Sequence, residues 1–230
     1  MPAPGTTWQW QLTTPVDLSV SASVYEIDLF DNGAPVVASL HSMGRKVICY
    51  VDVGTWEPQR PDAGSFPGSL KGNPVEGFPE ERWLDIRQVG VLGSIVAARF
   101  DLCKARGFDA VEADNVDGFA NSSGFPLTAA DQLAFNRAIA ALAHARGLSV
   151  ALKNDVGQVN DLVGVFDFSV DEQCAEYQEC RALTPFIRAG KAVFHVEYNL
   201  ATSEFCPVTA PLGFSSMLKH LSLDAYRVPC

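Results

Sequence analysis

Short apolar runs that end in polar residues recur along the chain, and the intervals between them carry helical periodicity. Runs at 8–12, 24–29, 46–52, 83–87, 108–111, 148–153, 166–170 and 192–196 read as strands. Several are nearly continuous in Val, Ile, Leu and Phe, as expected of strands covered on both faces. Between them, Val36, Val37, Leu40 and Met43 mark one face of a helix over 34–43 that stops at Gly44. A second helix fills 89–106 and ends at Gly107. A third begins at Thr128, where Asp131 replaces the usual Glu or Gln of a capping box. Its buried face is Phe135, Ala138, Ile139 and Leu142, and Gly147 ends it. Shorter helices are expected at 156–163 and within 174–189. Only a brief link joins the first two strands. A Pro- and Gly-rich loop spans 54–77, and loops of that length are uncommon unless they shape a binding site.

Eight strands mostly separated by helices predict an α/β protein with a parallel sheet, closed as a single (β/α)8 TIM barrel over 1–230. An open doubly wound sheet is the alternative, but no Gly-rich phosphate turn follows the first strand. In such a barrel the site lies at the C-terminal strand ends. Those ends carry Asp28, Asp52, Asp85 with Arg87, the cluster Asp114-Asn115-Val116-Asp117, Lys153-Asn154, Glu172-Gln173 and Glu197-Tyr198.

Alternation along each strand refines this set. Glu112 shares a phase with Asp114, Tyr50 with Asp52, and His195 with Glu197. Phe194 and Val196 suit the helix-facing side, so His195 and Glu197 are expected to face the barrel axis. Asp114 on the fifth strand and Glu172 on the seventh come from nearby, non-adjacent strands. That places two carboxylates where they can act as proton donor and as nucleophile or base. Lys153, from the strand after Asp114, supplies a counter-charge, and Glu112 lies deeper as support. Trp8, Trp10, Tyr50, Trp56 and Tyr198 offer sugar-stacking faces or core packing.

The net charge of 17 − 27 = −10 argues against nucleic acid and favours a cationic or neutral ligand. No apolar run approaches the length of a membrane span. Six cysteines allow 15 pairings. Cys174 and Cys180 flank a short segment, Cys206 and Cys230 bracket the tail, and Cys49 is left with Cys103. Three disulfides imply an oxidising compartment, hence a secreted or periplasmic protein. Met1-Pro2-Ala3-Pro4 lacks the apolar core of a signal peptide, so the chain reads as a mature form. No metal site is expected: there is no C-x-x-C, the four histidines are scattered, and a calcium loop would need Ala113 as its first ligand. No cofactor motif stands out.

The segments Val47-Ile48-Cys49-Tyr50, Trp83-Leu84-Asp85-Ile86-Arg87, Glu112-Ala113-Asp114-Asn115-Val116-Asp117-Gly118-Phe119, Leu152-Lys153-Asn154, Asp171-Glu172-Gln173-Cys174 and Val196-Glu197-Tyr198 together resemble the endo-α-1,4-polygalactosaminidases, glycoside hydrolase family 114. The resemblance runs nearly end to end. It implies a (β/α)8 barrel that hydrolyses α-1,4-linked galactosamine polymers such as microbial exopolysaccharides, with its catalytic acids at Asp114 and Glu172. Asp114 takes the nucleophile role beside Lys153, and Glu172 the acid/base role. Asp28, Asp52, Asp117 and Glu197 are expected to bind amines or hydroxyls of a cationic or partly acetylated polysaccharide. Tyr50, Arg87, Asn115, Lys153, Asn154 and Tyr198 complete the binding set of a secreted monomer. The alternatives are a barrel that binds cationic glycan without cutting it, and a glycosidase of different sugar specificity.

Overall fold

The computed structural model describes residues 1–230. The main sheet opens with three parallel strands, β1 (Trp8–Trp10), β2 (Val24–Asp28) and β3 (Lys46–Asp52), with helix α1 (Ala34–Ser42) crossing between β2 and β3. The chain then leaves the sheet for a three-stranded antiparallel excursion, β4 (Thr55–Trp56), β5 (Lys71–Val75) and β6 (Phe78–Leu84). It returns through α2 (Val89–Arg106) to β7 (Ala110–Asp114), which pairs directly with β3. Four more parallel strands follow in order. They are β8 (Ser149–Lys153), β9 (Phe168–Glu172), β10 (Val193–Glu197) and β11 (Ser215–Leu218), reached through α3 (Ala129–His144), α4 (Val159–Leu162), α5 (Thr184–Arg188) and α6 (Thr202–Thr209). A final short strand, β12 (Val228–Pro229), runs antiparallel along β11.

The result is an α/β fold built on a strongly curled parallel sheet. Its first and last parallel strands, β1 and β11, approach without a backbone ladder between them. The Trp8 indole bridges them, donating from Nε1 to the Ser215 carbonyl at 2.8 Å and stacking on Phe194. Trp8, Trp10, Ile48, Phe168, Phe194 and Met217 fill the inside of the curl, while Val37, Phe100, Phe135 and Phe186 belong to the core between sheet and helices. Burial on both faces is why β3 reads as almost unbroken apolar sequence.

Local chemistry explains the helix ends. Thr128 and Asp131 form the reciprocal capping box, so the shorter Asp serves at that position. Gly107 ends α2 with φ of 93°, a left-handed conformation that favours glycine. Disulfides join Cys49 to Cys103 (β3 to α2), Cys174 to Cys180, and Cys206 to Cys230 (α6 to the last residue).

Three expectations are corrected. Residues 83–87 do not form a strand of the main sheet, because Trp83 and Leu84 end the antiparallel β6. The eighth parallel strand is Ser215–Leu218, whose sequence holds only two apolar residues. Asp114 therefore lies on the fourth strand of the main sheet and Glu172 on the sixth, still two strands apart. The phase of β10 is also reversed: Phe194 and Val196 pack inside the curl, and His195 packs on Phe205 and Phe214 of the outer layer.

Candidate active site

The C-terminal ends of β7, β8 and β9 deliver Asp114, Lys153 and Glu172 to one place. In each case the next residue turns with positive φ: Asn115 at 60°, Asn154 at 47° and Gln173 at 64°. Non-glycine residues in this region cost conformational energy and cluster at functional sites. Here the sharp turn stops each strand directly after the side chain it delivers to the site. Gly54 permits the closest approach, since a Cβ there would lie 1.6 Å from the Asn115 carbonyl oxygen.

Lys153 Nζ is 3.0 Å from Asp114 Oδ1, 3.1 Å from Glu172 Oε2 and 2.9 Å from Glu112 Oε1, with its side chain 3% exposed. Only the Asp114 contact is a well-directed hydrogen bond. The other two are charge contacts, and neither Glu112 oxygen has a hydrogen-bond partner. Asp114 also accepts from Tyr50 Oη at 2.6 Å and from the Asn115 amide at 2.8 Å. Glu172 accepts from the Tyr198 hydroxyl, and its own amide donates to Asn154 Oδ1 at 2.9 Å.

Burial drives the Asp114 carboxyl up, but the Lys153 ammonium and the Tyr50 hydroxyl outweigh it, so it sits below the usual Asp value. Burial lifts Glu112 to about 8 despite Lys153, with Asp114 adding to the rise. Burial tends to lower Lys153, yet its three carboxylate neighbours hold it well above the ordinary lysine value. The floor of the site therefore pairs an ionised Asp114 with an ammonium, with Glu112 beneath them.

These groups open into a cavity of about 600 Å³. Asp114, Glu172, Tyr50, Asn115, Asp117, Lys153, Asn154 and Tyr198 line it, as does Trp10 among the candidate aromatic faces. Burial, reinforced by repulsion from Asp114, raises Asp117 to about 6. Four expected binding residues are not part of it. Asp28 is held bidentately by Arg60, at 2.7 and 3.1 Å, and caps the Phe30 and Asp31 amides. Asp52 accepts from Gly54 N, Thr55 N, Thr55 Oγ1 and Asn115 Nδ2, which ties down the turn after β3. Arg87 folds back onto Asp85 at 2.7 and 2.8 Å. Glu197 is fully buried, and its Oε1 accepts from Ala175 N, Glu176 N and His195 Nε2 at 2.8, 3.3 and 3.0 Å. It anchors the loop that follows Glu172. Trp8 is core, and Trp56 carries the Lys71 ammonium 3.7 Å above its ring.

Sequence reading missed Glu76, Phe78, Glu81 and Trp83 of the excursion, and Leu221 to Leu223 of the tail, all of which line the cavity. The available signal was the length of the 54–77 loop. The one His and Cys cluster tight enough for a metal ion, Cys174, Cys180 and His195, has both sulfurs in a disulfide and offers no thiolate.

Two carboxylates facing one cavity are the basic equipment of a glycoside hydrolase, and comparison with known proteins assigns the chain to that class. Residues 1–230 match the model of glycoside-hydrolase family GH114, and the chain belongs to this family. The crystal structure of Aspergillus fumigatus Ega3 in complex with galactosamine is 37% identical, with a TM-score of 0.95, covering 100% of this chain and 96% of that one. The glycoside hydrolase domain of PelA from Pseudomonas aeruginosa shares the fold at 14% identity and a TM-score of 0.74, over 96% and 97% of the two chains. The α-galactosidase TtGalA from Thermus thermophilus shares it at 15% identity and 0.59, over 94% of this chain and 58% of its own. No curated protein sequence matches.

Proposed function

We propose that the chain is a secreted, endo-acting hydrolase of α-1,4-linked galactosamine polymers, with the curled sheet serving as a (β/α)8-type barrel. The observation that carries this reading is the shared ammonium: Asp114 and Glu172 each put an oxygen within 3.1 Å of Lys153 Nζ at the cavity floor. Asp114, held ionised by Lys153 and Tyr50, attacks the anomeric carbon. Glu172 protonates the departing glycosidic oxygen and then takes a proton from the water that releases the glycosyl-enzyme. The two oxygens held on one nitrogen lie at most about 6 Å apart, which is compatible with the short carboxyl separation of retaining enzymes.

The sugar assignment is supported by the whole-chain similarity to Ega3, whose crystal holds galactosamine. The excess of 27 acidic over 17 basic residues adds attraction for a protonated amino sugar. Three disulfides support an extracellular location, and no helix is long and apolar enough to cross a membrane. The test is proton NMR of the first products from deacetylated α-1,4-galactosamine oligomers. The reading expects internal cleavage with the new reducing end appearing first as the α-anomer. Absence of cleavage would remove the substrate assignment, and a β-anomer would remove the double displacement.

A further inference from the structure

Of the 14 phenylalanines in the chain, Phe78 alone is exposed, at 53%, and of the leucines only Leu221 is, at 68%. Both line the catalytic cavity, Phe78 from the excursion and Leu221 from the tail loop after β11. Scattered exposed apolar residues need no explanation. When the sole exposed members of two residue types stand at the mouth of one polar cleft, they call for a ligand with an apolar face.

Phe78 is carried on a braced support. At the base of the hairpin, Asn73 N donates to the Ser123 carbonyl at 2.9 Å and Asn73 Nδ2 to the Ser122 carbonyl at 3.0 Å. Gly72 lies so close to the loop after β7 that a Cβ there would be 2.1 Å from the Ser123 oxygen. Lys71 is pinned over Trp56. The tip turns at Gly77, φ 80°, with Glu76 and Phe78 flanking it, and both line the cavity together with Glu81. An aromatic ring beside carboxylates suits a ligand with a C–H face and a cationic substituent, which describes one ring of a deacetylated hexosamine chain.

We propose that Phe78 and Leu221 form a distal clamp that grips a sugar residue of the polymer away from the scissile bond, with Glu76 and Glu81 receiving its amino group. This rests on the proposed function and deepens it, because the clamp makes the enzyme selective for long, deacetylated chains. None of the four residues contacts Asp114, Glu172 or Lys153 through a hydrogen bond or ion pair.

The test compares kcat/KM on deacetylated α-1,4-galactosamine trimer and nonamer for wild type, Phe78→Ala, Phe78→Trp and Glu76→Gln. The wild type is expected to prefer the nonamer. Losing one stacking face lowers that nonamer-to-trimer ratio by about 3- to 10-fold in Phe78→Ala, and Phe78→Trp restores it. Glu76→Gln lowers the ratio on deacetylated chains and leaves it unchanged on N-acetylated ones. A wild type without length preference, or one whose preference survives every variant, overturns the clamp alone. A wild type that cuts no oligomer overturns the proposed function beneath it.

Discussion

Replacing Lys153 with Met removes the ammonium, whose Nζ lies 4.8 Å from the Trp10 ring centroid, and keeps most of the side-chain volume. Three carboxylates then lose a cation that sits about 3 Å from each, in a site where Lys153 is 3% exposed. Removing one partner of a buried ion set costs about 3–5 kcal/mol, unless the remaining charges neutralise themselves. Protonation of Asp114 is the available escape. Its carboxyl is held low by Lys153 against burial, so in Lys153→Met burial prevails and the value rises. The sign follows. The wild-type Asp114 is ionised above its depressed value, and its stabilising contribution is lost only as pH falls below the ordinary carboxylate range. In the variant the ionised nucleophile disappears at a higher pH. Each tenfold loss of the ionised form at a given pH is worth about 1.4 kcal/mol of barrier, so the rate falls on the acid side of the profile. The assay is the pH profile of kcat/KM on a galactosamine oligomer, with thermal unfolding as a folding control. A folded Lys153→Met whose acid limb coincides with that of the wild type would refute the electrostatic argument.

Glu197→Ala leaves two loop amides and His195 without their acceptor and should cost about 1–3 kcal/mol in urea unfolding, with Glu197→Gln losing less because it keeps an acceptor oxygen. Gly54→Ala forces Cβ against the Asn115 carbonyl and should destabilise by about 3 kcal/mol in the same experiment, with loss of activity as Asn115 shifts. Replacing each disulfide by a serine pair should rank by sequence separation, 54 for Cys49–Cys103, 24 for Cys206–Cys230 and 6 for Cys174–Cys180. Chain entropy gives losses of about 4.2, 3.4 and 2.2 kcal/mol in that order.

The convergence of Asp114, Lys153 and Glu172 was legible because β7, β8 and β9 are apolar runs that change to polar residues abruptly, and alternation then sets which side chains share a face. Miscounting one strand left the pair intact, because the error moved both positions together. Trp83 to Arg87 misled because alternation is equally satisfied by a half-exposed antiparallel hairpin, whereas Ser215 to Leu218 has too little apolar sequence to announce a buried strand. His195 and Glu197 are expected inside the curl because Phe194 and Val196 suit the helix-facing side. They are instead buried under the helices, in bonds to Ser216 and to the amides of the 174–176 loop. Asp28, Asp52 and Arg87 lie outside the cavity for a related reason: their partners, Arg60, Thr55 and Asp85, belong to the excursion between β3 and α2, whose path no periodicity predicts. The cavity wall contributed by Phe78 depends on the same excursion, and that of Leu221 on the tail loop after β11.

The central claim is that Asp114 and Glu172 together cut the polymer. Mass spectrometry of a deacetylated α-1,4-galactosamine heptamer after incubation with wild type, Asp114→Asn or Glu172→Gln tests it most directly. The account predicts internal fragments from the wild type and an intact heptamer from each variant, with all three proteins folded. Wild-type fragmentation by either variant would contradict it.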